Sequence, residues 1–192
     1  MADVRLPHLT PAGLTEEQRD LRERIVGGPR GAGPQHFPLV HEDGSLTGPF
    51  GVMLHEPALG APLQELGSAI RYATGLSART REIAILAVAA ATGCEFETYA
   101  HERVGRAVGL TRDELAALAD GTFTSADPHE REAHAFCRHL LTGDARLSDD
   151  AYAAYAAVLG TTAMTELVVL VGYYRTLAQL LAVHDVGAPP SS

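Results

Sequence analysis

Residues 76–101 read LSARTREIAILAVAAATGCEFETYAH, and this stretch decides both the fold class and the candidate chemistry. Ser77 is a helix-capping type, and the run through Arg81, Glu82, Ile83, Leu86 and Ala90 predicts a strongly apolar helix. Gly93 interrupts it. A second helix is predicted from about Cys94 to Val108, closed by Gly109 as a left-handed cap. At about 100° per residue, Cys94, Glu97 and His101 fall within about 60° of one another around the second helix axis. Glu97 and His101 are an i,i+4 pair within hydrogen-bonding reach, so the carboxylate can raise the imidazole pKa and fix its tautomer. Cys94, in the predicted first turn, lies where the helix dipole favours a thiolate. A plain structural reading stands beside this one, with Cys94 as a small buried residue and Glu97–His101 as a surface pair.

Outward from this stretch, helix signals recur and strand signals do not. Thr15 to Gln18 has the capping-box spacing and opens a polar helix to about Val26. Residues 27–51 are rich in glycine and proline, contain His36 and His41, and predict a long loop hugging the surface. Pro57 suits a first helical position, and Leu59, Leu63, Leu66 and Ile70 form one apolar stripe after it, ended by Gly75. On the C-terminal side, Thr111 to Glu114 is a second capping box, and that helix stops at Gly121. Asp127-Pro128 opens another helix through Phe136 and Leu140. Ser148 caps a helix ended by Gly160. The last helix carries Met164, Leu167, Val171, Tyr174, Ala178 and Leu181, apolar over more than one stripe, which predicts burial partly against another subunit. The fold class is therefore all-α, a single-domain helical bundle over residues 1–192. Its core region is 48–183, preceded by an N-terminal helix and loop (1–47) and followed by a frayed tail (184–192).

The bulk properties bound the function. The chain has 192 residues, 46% of them apolar, and a formal net charge of −9. That is enough material for a core, and the negative surface disfavours nucleic acid as a partner. The N-terminus shows no apolar signal segment. Leu167–Val183 is interrupted by Arg175 and Gln179, so no membrane partner is expected, and the cytoplasm is the expected compartment. The two cysteines, Cys94 and Cys137, are too few and too far apart for a disulfide scaffold.

The run Leu76 to Leu86, then Gly93-Cys94 with Glu97 and His101, then Ala107 to Glu114, resembles the carboxymuconolactone decarboxylase family, which includes the alkylhydroperoxidase D-like proteins. The likeness is strongest over residues 76–121 and extends more weakly over Gly48–Gly75 and Glu166–Leu181, with its Gly172-Tyr173-Tyr174. It implies an all-helical fold assembled as a homo-oligomer, a trimer or a hexamer. It also implies an active site without cofactor or metal, in a cleft at the helix face described above, acting on a small-molecule substrate. In the peroxidase branch the site is a glutamate, a Cys-x-x-Cys pair and a histidine. Glu82, Cys94 and His101 match three of these, and Glu97 stands where the second cysteine would be. Without that cysteine Cys94 lacks a local disulfide partner, so the expected activity is decarboxylase-like. It would be a lyase using Glu82, Cys94, Glu97 and His101 for decarboxylation or related enol chemistry on a small organic acid or lactone. In that scheme His101 donates the proton, and two carboxylates in one pocket push one carboxyl pKa upward. The alternatives are a thiol-dependent peroxidase using Cys94 and a non-catalytic ligand-binding member.

Other signals fail on spacing. His101-Glu102 begins like a zinc-protease helix, but Gly105 occupies the second histidine position. Gly27 to Gly33 is glycine-rich, yet no Gly-Lys-Ser/Thr follows and no strand precedes it, so a phosphate loop is not expected. His36, His41 and His55 are irregularly spaced and read as ordinary loop histidines. His134 and His139 are five apart on one predicted helix and read as surface residues. Arg81 is a candidate anchor for a substrate carboxylate, with a surface arginine as the plainer reading.

Overall fold

Helix starts in the computed structural model, which describes residues 5–189, follow the caps written in the sequence. Thr15 Oγ1 accepts from Gln18 N, and the Gln18 side chain accepts from Thr15 N. Thr111 and Glu114 repeat this box, while Ser77, Asp127 and Ser148 each cap a helix with a side-chain oxygen. The helices are α1 (Glu16–Gly27), α2 (Pro29–Ala32), α3 (Pro49–Met53), α4 (Pro57–Tyr72), α5 (Ala78–Thr92), α6 (Glu95–Ala107), α7 (Arg112–Asp120), α8 (Pro128–Leu141) and α9 (Asp149–His184). Among the described residues there is no strand, only an isolated bridge between Val40 and Leu46.

α5 is the axis of the bundle. Ile83, Ala84, Ile85 and Val88 point in different directions around it, and all are essentially solvent-free. That is possible only because α6, α7, α8 and α9 each pack on a different side. Arg79, in the first turn, fastens this arrangement. It donates to Glu130 on α8, to Glu114 on α7 and to the Gly109 carbonyl after α6. α9 is long and apolar enough to cross a membrane by length and composition. Leu167, Leu170 and Leu181 on it are fully buried, whereas Val168, Val169 and Val183 are exposed. Gly160, at φ +76° and ψ +156°, breaks the helix where the sequence predicts an end.

Several expectations are corrected. The 27–51 segment is not a surface loop. It contains α2 and the start of α3, and it buries Leu39, Leu46 and Phe50 in the core. On α4 the expected stripe splits. Ile70 is buried, but Leu59 and Leu66 are exposed, because Gly60 and Gly67 lie on the inward face and let Met53, Leu21 and Tyr173 approach the helix backbone. His134 is buried edge-on to Phe123 rather than at the surface, and burial, with Arg138 nearby, pushes its pKa down to about 4. The tail is tied down in its first part: Val186 N donates to the Leu181 carbonyl, and Val186 packs beside α6. Residues 190–192 of the expected frayed tail lie outside the described residues.

Gly48 positions the wall of the later site. Its φ of +56° suits only glycine, and a Cβ there would overlap the Phe96 ring on α6. Gly48→Ala is expected to destabilise the fold by roughly 2–5 kcal/mol through backbone strain plus overpacking. A lowered urea midpoint at unchanged m-value checks this.

Candidate active site

α5 and α6 run side by side, so residues one turn apart on each meet across the interface. Glu82 and His101 are such a pair. The imidazole Nδ1 lies 2.6 Å from Glu82 Oε2, in a site where both side chains are nearly free of solvent. One α6 turn earlier, Glu97 Oε2 stands 3.3 Å from the other ring nitrogen, Nε2. Behind Glu82, Arg71 from the last turn of α4 donates to Oε1 at 3.2 Å. The result is a chain of alternating charge: Arg71, Glu82, His101, Glu97. Tyr174 from α9 stands edge-on to the imidazole, with centroids 5.3 Å apart at 88°.

The protonation states follow from this order. Burial alone would discharge the His101 ring, but Glu82 and then Glu97 more than offset it and raise its pKa to about 9. The ring is therefore an imidazolium near neutrality, with an N–H for each carboxylate. Burial favours the neutral acid at Glu82, yet His101, Arg71 and Arg81 outweigh it and hold the carboxyl below its usual range. This corrects the expectation that a crowded carboxyl would be raised. Burial, with Glu97 and Glu82 nearby, pushes the Tyr174 hydroxyl well up, so it stays neutral. Glu97 Oε1 is buried with no hydrogen-bond partner among the described residues. Buried polar atoms are ordinarily satisfied, so this oxygen has capacity for a proton or a ligand donor.

Glu97, His101 and Arg71 line a cavity of about 170 Å³. Its apolar walls include Phe96 and Ala100 on α6 and Leu177 on α9. Its opposite wall is the 30–39 arm with Phe50. Tyr72, half exposed, marks where the cavity reaches the surface.

Three of the four predicted site residues thus converge, and Cys94 stands apart. It is the N-cap of α6 rather than a residue of its first turn, and it packs with Val52, Phe96, Ala100, Ala178 and Leu181. Burial pushes its thiol pKa up, against the dipole expectation, with backbone N–H groups of Glu97 and Phe96 opposing weakly. Cys137 lies in the main core, its pKa pushed up to about 12. His36 lines the cavity, His41 stacks on His8, and His55 Nε2 meets the Pro7 carbonyl at 3.0 Å. Among the described residues no cluster of three or more His, Cys, Asp or Glu is arranged to hold a metal. Arg81, a candidate carboxylate anchor for which a surface arginine is the plainer reading, reaches the Leu76 carbonyl. Sequence reasoning missed Arg71, whose partner lies across a helix interface. It also missed Tyr174, which looked like one more apolar position of α9.

Fold and site together define a small helical protein with a buried acid/base chain opening on a cavity. Residues 57–138 match the model of the carboxymuconolactone decarboxylase family. Among solved structures, an uncharacterised peroxidase-related protein from Ralstonia eutropha JMP134, described as an alkylhydroperoxidase AhpD core, is similar. Its TM-score is 0.76 at 14% identity, over 96% of this chain and 92% of that one. The debrominase Bmp8, as a cysteine-to-alanine variant in complex with 2,3,4-tribromopyrrole, gives a TM-score of 0.69 at 16% identity, over 96% and 91%. At these identities the likeness is one of fold. No curated protein matches the chain.

The His101 proton couples the site to stability. The folded state holds it more tightly than the unfolded chain does, at a pKa of about 9 against the ordinary 6.5. The stabilisation is complete below pH 6.5 and is lost as pH rises through 9. Denaturant unfolding at pH 6 and pH 9.5 is expected to show a loss of about 3 kcal/mol that is absent in His101→Gln.

Proposed function

We propose that the protein is an acid/base enzyme of the carboxymuconolactone decarboxylase kind, a lyase acting on a small unsaturated organic acid or lactone in the cytoplasm. The observation that carries this is His101 held between Glu82 and Glu97 at the wall of the cavity. In such a reaction the C–C bond to a carboxylate breaks and CO₂ leaves. The electron pair delocalises through a C=C bond onto a carbonyl oxygen, and a proton is then added at carbon. The substrate is its own electron sink, so this scheme calls for no metal or organic cofactor.

On this reading the roles divide among the four residues. Both ring nitrogens of His101 are engaged by carboxylates, so the proton reaches carbon through Glu97, which faces the cavity and is recharged from Nε2. His101 is the proton reservoir. Glu82, kept anionic by Arg71, is a positioning residue that holds the ring and its charge. Isomerisation or dehydration through an enol would use the same parts.

Carboxymuconolactone is the first compound to test, with CO₂ release as the readout. Glu97→Gln and His101→Gln are each expected to lower kcat by roughly 10²–10⁴-fold, the usual worth of a positioned acid or base, with circular dichroism unchanged. Cys94→Ala is expected to remain active. A thiol peroxidase, the reading favoured by the peroxidase-related fold neighbour, predicts the reverse. In that case Cys94→Ala alone would abolish dithiol-dependent peroxide consumption, and Glu97→Gln would not.

The same family resemblance carries a proposal about assembly. Leu66 on α4 and Val169 on α9 flank one groove with Thr162 and Thr165, and Val168 beside it is exposed. We propose that a second copy of this chain covers this face in a trimer or hexamer. Sedimentation equilibrium is expected to give three or six protomers for the natural sequence and a smaller species for Val169→Asp. A monomeric natural protein would overturn the assembly.

A further inference from the structure

Among the described residues, Arg30 is an arginine of the cavity lining that has no carboxylate partner. Of the other cations lining the cavity, Arg71 is paired with Glu82, and His101 lies between Glu82 and Glu97. Arg30 makes no ion pair among the described residues, and its Nε is buried with no hydrogen-bond partner. A partly buried guanidinium left unpaired is costly, and an anion in reach relieves that cost. That unpaired charge is positive in a protein whose net charge is −9.

The position is built rather than incidental. Arg30 lies on α2, in the glycine-rich arm upstream of the matched family domain. Its guanidinium carbon stands 5.0 Å from the centroid of the Phe50 ring, a cation–π arrangement that holds the planar group in one orientation. Its Nη2 passes over Gly67 of α4, where a Cβ would come within 2.8 Å. Tyr173 meets the same glycine and lines the same cavity. Gly67 therefore opens a slot that a side chain there would close.

We infer that Arg30 is the specificity-determining residue of the site, binding a carboxylate of the substrate that takes no part in the reaction while the flat, unsaturated remainder lies against Phe50 and Phe96. The guanidinium fork matches a carboxylate with two parallel N–H donors. The aromatic walls suit a planar body better than a saturated one. This deepens the acid/base reading and rests on it for the fate of the substrate, but the binding it describes is measurable without turnover.

The test is calorimetric titration with 2-furoate, a flat unreactive carboxylate, and with its neutral methyl ester. The natural protein is expected to bind furoate roughly tenfold or more tightly than the ester, the scale of one charge-assisted contact. Arg30→Met keeps the stem length and is expected to remove that preference. Arg30→Lys should restore part of it, and Glu97→Gln should leave it in place. Retention of the preference in Arg30→Met, equal binding of acid and ester, or no saturable furoate binding overturns the assignment. Arg30-dependent binding of inorganic phosphate as tight as that of furoate overturns the flat carboxylate in favour of a simple anion site. Loss of turnover in Glu97→Gln with the furoate preference intact separates the acid/base reading from this one.

Discussion

The contact between Glu82 and His101 is the constraint around which the interior is arranged. At 2.6 Å and almost without solvent, neither partner tolerates the loss of the other, because an unpaired ion in that position is far more costly than the pair is stabilising. The pair also requires further charges. Glu82 needs Arg71 behind it, and the imidazolium has a second N–H that needs Glu97. α4, α5 and α6 are thus registered to one another by electrostatics as well as by packing. The apolar surroundings that make the pair expensive also hold the imidazole charged.

Much of this was legible in the sequence, for reasons tied to particular residues. Thr15, Ser77, Thr111, Asp127 and Ser148 mark helix starts because capping is local, and Gly93 and Gly121 mark ends because only a left-handed turn fits there. Glu97 and His101 were found because an i,i+4 pair is fixed by helix geometry alone. Glu82 came from family resemblance, since nothing local states which residue of α5 faces which residue of α6. Arg71 and Tyr174 were hidden for the same reason, as their roles exist only after three helices have packed.

Two failures are instructive because they share a cause. Cys94 looked reactive from its place near a helix start, but its neighbours Val52, Ala178 and Leu181 come from distant segments and set its solvent exposure. The 27–51 segment looked like surface because glycine and proline suggest loops. Yet Leu39, Leu46 and Phe50 within it are core residues, and the segment closes one side of the cavity. In both cases composition described the backbone correctly and said nothing about what would be laid against it.

The division of the cavity between two parts of the chain has an evolutionary corollary. Arg71, Glu82, Glu97 and His101 sit on helices locked together by buried charge, where almost any exchange is penalised. The facing wall comes from a short upstream arm anchored by a few apolar side chains. Variation confined to that arm would reshape the cavity wall and leave the buried charges untouched.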